Sequence, residues 1–131
     1  MSYDLHSHSN VSDGQLSPTE LVQRAADKGV SFLALTDHDT IDGIAEAKKA
    51  AEDLQIEIIH GVELSVQWKD YNIHLVGLNI DVENELLLRG ISKQQQARIN
   101  RFKQITESLA LDGIYDNEGQ IQGFAGEHVP G

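Results

Sequence analysis

No cysteine occurs in the 131 residues, which excludes disulfides and thiolate-held zinc. Any metal must then be held by imidazole and carboxylate. Basic residues are scarce, with 10 Lys and Arg against 21 Asp and Glu and a formal net charge of −11. That balance argues against extended binding along a nucleic-acid backbone, which needs basic patches. It leaves a phosphorylated small molecule open, because bound divalent cations invert the local field. No apolar run approaches the ~18 residues of a spanning helix. Met1-Ser2-Tyr3-Asp4 has neither the basic start nor the apolar stretch of a secretory signal. A cytoplasmic location without a membrane partner is the expectation. There is no G-x-x-x-x-G-K-[ST] phosphate loop, no repeat and no proline-marked linker. What remains, 40% hydrophobic and 24% charged, is the composition of a globular chain with one core.

The organisation reads as β-α-β-α-β-hairpin-α. Tyr3 to His6 starts the chain as a short strand. Ser17-Pro18-Thr19-Glu20 is a capping box with proline at the first helical position, Leu21, Val22, Ala25 and Ala26 form the apolar face, and Gly29 ends the helix. Val30 to Thr36 is a strand, and Ile41 to Leu54 a helix with Asp39 or Thr40 as its N-cap. Ile56 to Ile59 is the next strand. The alternation of Val62, Leu64, Val66 and Trp68, then Lys69-Asp70-Tyr71-Asn72, then Ile73 and Leu75 predicts a hairpin, with Trp68 and Tyr71 serving it and its core contacts. From about Val82 a helix follows, lined by Ile91, Ile99, Phe102, Ile105 and Leu109 and stopped at Gly113. Strands alternating with helices of this length indicate βαβ units and a parallel sheet.

In such folds functional groups gather where strands end. His6 and His8 lie at the end of the first strand, His38 after the second, His60 and Glu63 at the third, and His74 opens the returning hairpin strand. His6-Ser7-His8 places two imidazoles on one side of an extended chain, within reach of one ion. Read alone it is a surface pair. Asp13 alone is a turn carboxylate beside Gly14. Thr36-Asp37-His38-Asp39-Thr40 sets two carboxylates around an imidazole, which suits both a carboxylate-oriented metal ligand and an acidic helix start. Glu63 is either a bridging carboxylate or an ordinary strand residue. For His74 geometry pulls the other way. A four-residue turn pairing Trp68 with Ile73 puts Gln67 opposite His74, about 13 Å from Glu63 along the ladder. Arg98 and Arg101 are either phosphate contacts or part of a solvated helix face. His128 lies outside any strand end.

Together these residues resemble the PHP family, named for polymerase and histidinol phosphatase domains. The matching motifs are Asp4-Leu5-His6-Ser7-His8-Ser9, Ser12-Asp13-Gly14, Leu35-Thr36-Asp37-His38-Asp39-Thr40, His60-Gly61-Val62-Glu63 and Ile73-His74-Leu75-Val76-Gly77, in that order. The branch resembled is that of stand-alone bacterial metal-dependent phosphoesterases of the TrpH type. The resemblance implies a distorted (βα)7 TIM-like barrel with two or three divalent ions (Mn, Fe or Zn) at the strand ends. It implies His6, His8 and Glu63 around one ion, Asp13 and His38 on a second, Glu63 bridging to a third with His74, and Asp37 in support. Residues 1–88 correspond to the start of the barrel and 89–131 to the start of a helical insertion.

The function so implied is hydrolysis of phosphate esters, small nucleotides or RNA ends, by metal-activated water. The resemblance also implies well over a hundred further residues with more ligands. The competing expectation is therefore a truncated, inactive metal-binding half-domain. Such a chain self-associates through exposed barrel edges or needs its missing half.

Overall fold

The computed structural model describes residues 1–111. The elements run β1 (Tyr3–Ser7), α1 (Pro18–Asp27), β2 (Phe32–Leu35), α2 (Ile44–Ala51), β3 (Glu57–Trp68), β4 (Tyr71–Leu78) and α3 (Glu85–Leu111). The expectations for Gly113, for the glycine-rich stretch after it and for His128 lie outside the described residues. α3 runs unbroken across the 88/89 boundary drawn from the sequence. No helix among the described residues is long and apolar enough to cross a membrane.

α1 forms as its capping box dictates. The Ser17 hydroxyl accepts from the Glu20 amide at 3.1 Å, and the Ser17 amide donates to the Glu20 carboxylate at 3.1 Å. At the other end Val30 N–H reaches Ala25 O at 3.0 Å and Gly29 N–H reaches Ala26 O at 3.0 Å, with Gly29 at φ +81°. This is a Schellman ending, which needs a left-handed residue that glycine supplies without strain.

The strands make one four-stranded sheet in the order β1-β2-β3-β4. β1, β2 and the first part of β3 are parallel, Phe32–Leu35 lying against Glu57–His60. From Gly61 to Trp68 the same β3 pairs antiparallel with β4. The sequence suggested two strands here; one continuous strand of 12 residues serves both pairings. The core lies on one face of this sheet, where Val22 of α1 and Ile44, Ala47 and Ala51 of α2 pack on Leu33, Leu35 and Ile58. That leaves the strand ends clear on the side where the loops gather.

Several local expectations are corrected. The hairpin turn has two residues, Lys69 and Asp70, so Trp68 pairs with Tyr71 and His74 with Ser65. Lys69 takes φ +54°, with its ammonium 4.5 Å from the Trp68 ring centre. Trp68 and Tyr71 stack on each other yet stay exposed, so they serve the hairpin and not the core. Asp39 and Thr40 do not cap α2. That helix begins at Ile44 after an unassisted Gly43, because Asp39 is engaged elsewhere and the Thr40 hydroxyl accepts from the Asp42 amide. On α3 the buried line is Ile91, Phe102 and Thr106, whereas Ile105 is 47% exposed.

Candidate metal centre

β1 ends with His6 in the strand, and His8 and Asp13 follow in the loop to α1. That loop is held by Asp37, whose buried carboxylate accepts from the Ser9 amide at 2.7 Å and from the hydroxyls of Ser9 and Ser12 at 2.6 Å each. Among the described residues Asp37 thus fastens the loop and makes no hydrogen bond to an imidazole. Its neighbour His38 leaves β2 alongside β3. Asp39 N–H donates to Glu63 O at 2.9 Å and Glu63 N–H to Asp37 O at 3.0 Å, a short parallel bridge joining His38 to Glu63. His74 reaches the same carboxylate from β4. It stands opposite Ser65, two residues along the strand from Glu63 and on the same face, a diagonal of about 7–8 Å between backbones. The shorter turn therefore removes the gap that the four-residue turn imposed.

Glu63 lies at the centre and is 5% exposed. Its Oε1 is 2.9 Å from His6 Nε2. Its Oε2 is 2.6 Å from His38 Nδ1, 3.4 Å from His74 Nδ1 and 3.9 Å from His8 Nε2. Asp13 completes the group, with one oxygen 3.2 Å from His38 Nε2 and the other 3.5 Å from His8 Nδ1. Three overlapping triads result, each with its ligand atoms within 4.8 Å of one another: His6, His8 and Glu63; His8, Asp13 and His38; His38, Glu63 and His74. His60 belongs to none of them.

Two observations fit divalent cations to this group. The Nδ1 atoms of His8 and His38 are buried without a hydrogen-bond partner. For His38 the 2.6 Å approach to Glu63 does not make a hydrogen bond. His6 Nε2 and His8 Nε2 likewise meet at 3.1 Å, where two lone pairs repel unless a proton or a cation lies between them. A set of imidazoles and carboxylates without thiolate suits divalent cations.

The protonation states suit this use. Burial, reinforced by the charge of His38, holds His8 below the ordinary histidine value of 6.5. For Glu63 burial works upward, but the His74 hydrogen bond and the charges of His38, His8 and His6 outweigh it and bring the carboxyl below its ordinary 4.5. Both shifts make the metal-free chain lose stability on acidification. The unfolded chain takes up the His8 proton first as pH falls through 6.5, so the His8 contribution is complete above that value and declines below it. The Glu63 contribution is complete above 4.5 and declines below it. Melting of the chelator-treated chain from about pH 8 to about pH 4 is expected to show both declines. A midpoint that begins to fall only below pH 4.5 means that His8 is not held neutral.

Arg98 is not a solvated side chain. Its Nε donates to Asp39 at 2.8 Å and its Nη2 to the Ser65 hydroxyl at 3.2 Å. Arg101 is exposed. Sequence reasoning missed Asp39 as the partner of this arginine, and Gln95, whose amide donates to the Asp39 carbonyl at 2.9 Å. Asp39 stood in the motif but read as a cap, and Gln95 carried no signal.

The PHP domain family profile matches residues 4–129. A 5′-3′ exoribonuclease of Haemophilus influenzae is 50% identical over 112 residues, covering 86% of this chain and 41% of that protein. A 3′,5′-nucleoside bisphosphate phosphatase of Chromobacterium violaceum is 45% identical over 111 residues, 85% of this chain and 39% of that protein. Among solved structures, an amidohydrolase of Chromobacterium violaceum with bound sulfate and no metal has a TM-score of 0.79 at 43% identity, over 88% of this chain and 41% of that one. The chain thus spans about two fifths of the length of these relatives.

Proposed function

Because the chain belongs to the PHP domain family, we propose that it carries the ion-binding part of a metal-dependent phosphoesterase acting on small nucleotides or RNA ends. The observation that carries this reading is Glu63, a buried carboxylate ringed by four imidazoles and backed by Asp13. The names of the relatives, an exoribonuclease and a nucleoside bisphosphate phosphatase, support the substrate class. When bound, divalent ions supply a water acidified toward a pKa of about 7 and a field that neutralises phosphate charge.

The chain's own residues divide the work of holding them. A neutral imidazole has one lone pair, since its other nitrogen carries a proton. His8 and His38 each stand in two triads, so each serves one ion at a time. With His8 given to His6 and Glu63, and His38 given to Asp13, Glu63 and His74 remain for a third ion. The first position is then the most complete and the tightest. Asp37 supports the set by fixing the loop that carries His8 and Asp13. Of the two arginines, Arg101 is the candidate phosphate contact, because Arg98 is taken by Asp39 and Ser65.

A second reading is that the chain binds ions without turnover, as a half-domain that needs further polypeptide. Its support is the openness of the group, with the side chains of His6, Asp13 and His74 55%, 66% and 53% exposed. The test is elemental analysis of protein purified without chelator, followed by assays on a nucleoside 3′,5′-bisphosphate and a 5′-phosphorylated oligoribonucleotide. One tightly held ion per chain, and hydrolysis that chelator removes, are expected. Ions without hydrolysis select the second reading, and protein without ions removes both.

A further inference from the structure

One face of α3 carries the line Ile91, Gln95, Arg98, Phe102 and Thr106, at the spacing of four, three, four and four that keeps residues aligned along a helix. Ile91, Phe102 and Thr106 are buried, and Gln95 and Arg98 meet one residue, Asp39. Gln95 Nε2 donates to the Asp39 carbonyl at 2.9 Å, and Arg98 Nε donates to the Asp39 carboxylate at 2.8 Å. Asp39 is 1% exposed and stands at φ +52°, a left-handed conformation that a non-glycine residue keeps only when its surroundings fix it.

What Asp39 holds in turn is the strand that carries Glu63. Its amide donates to Glu63 O at 2.9 Å, and its Oδ1 accepts from Ser65 N–H at 2.8 Å. Arg98 Nη2 also reaches the Ser65 hydroxyl, at 3.2 Å. The residue next to His38 therefore grips β3 at Glu63 and at Ser65 two residues beyond it, and α3 locks that grip. We propose that Arg98 is a positioning residue for the metal centre: acting through Asp39, it fixes the spacing between His38 and Glu63, which serve adjacent ions. Gln95 assists from the same helix face. This rests on the metal-site reading above. It also gives α3 a second task, since where the helix docks sets how well the ions are held.

The test is Mn²⁺ titration by calorimetry and the visible absorption band of bound Co²⁺, on the whole 131-residue chain. Arg98→Met, Arg98→Lys and Gln95→Ala are compared with Arg89→Met, an exposed site on the same helix. Arg98→Met is expected to weaken Mn²⁺ binding by about tenfold or more and to shift the Co²⁺ band, as loss of groups behind metal ligands does. Arg98→Lys restores part of the affinity, because an ammonium can pair with Asp39 but lacks the fork that also reaches Ser65. Gln95→Ala shows a smaller loss, and Arg89→Met none.

Wild-type affinity and an unchanged band in Arg98→Met, with only a lower melting point of the metal-free chain, overturn the proposal and leave the metal site standing. Failure of the wild-type chain to take up Mn²⁺ overturns the metal-site reading itself, and this inference with it. If Arg98→Met does not fold, Arg98→Lys and Gln95→Ala decide. Wild-type affinity in both overturns the proposal, and graded losses support it.

Discussion

Glu63→Gln is expected to weaken Mn²⁺ binding by at least about 100-fold, the upper end of what groups behind the ligands contribute, because a direct ligand does more than they do. The exchange preserves shape and removes charge. Oε1 and Oε2 serve different imidazoles, His6 on one side and His38 and His74 on the other, so a single amide cannot face both sides as an acceptor. The consequence for stability follows by mass action. An ion present at 100 times its dissociation constant stabilises the folded chain by about 2.7 kcal/mol. The variant should therefore lose most of the rise in melting temperature that Mn²⁺ gives the wild type. Differential scanning calorimetry with and without Mn²⁺ separates the two. An equal metal-induced rise in both proteins would sink the central role given to Glu63.

Gly14→Ala is expected to destabilise the chain by about 1–3 kcal/mol, toward the upper end of the overpacking range, and to weaken metal binding as well. A methyl group at Gly14 would lie 2.2 Å from the His8 carbonyl oxygen, 2.7 Å from the His8 carbonyl carbon and 2.9 Å from that of Ser9. All three are backbone atoms, so no rotamer relieves the clash and the loop itself must open. The Gly14 N–H bond to Ser9 O, 2.8 Å long, is then lost, and with it the placement of His8 relative to Asp13. Urea unfolding measures the first effect and Mn²⁺ titration the second. A variant with wild-type values in both would mean that the loop is not closed on itself as described.

The sequence made some of this legible and hid the rest for identifiable reasons. α1 could be read to the residue, because its capping box and its Gly29 ending are local devices with fixed spacing. His6, His8, His38 and Glu63 stood out at strand ends, whereas Asp13, read alone as a turn carboxylate, entered the set only through the family resemblance. The hairpin register could not be read. A two-residue turn normally shows glycine or asparagine, and here Lys69 takes the positive φ. Choosing a longer turn separated His74 from Glu63, which the true register brings to 3.4 Å. The face of α3 was misread for another reason. Its contacts to Asp39 come from Gln95 and Arg98, polar residues that a search for apolar spacing passes over. Asp39 and Asp37 look alike in the motif. Only the folded chain separates the one that fastens the loop after β1 from the one that grips β3.

The double pairing of β3 has a consequence for the order in which the centre comes together. His74 and Glu63 are 11 residues apart and joined by a two-residue turn, and a hairpin of that kind closes in about 1–10 μs. His6 and His8 arrive only when β1 pairs with β2, across a separation of 29 residues between Ser7 and Thr36, and β2 in turn with β3. Loop-closure entropy makes such parallel, non-local pairing the slower event. A refolding chain thus presents a carboxylate and one imidazole early and gains the other imidazoles as the parallel pairings form. The centre is built outward from its hairpin.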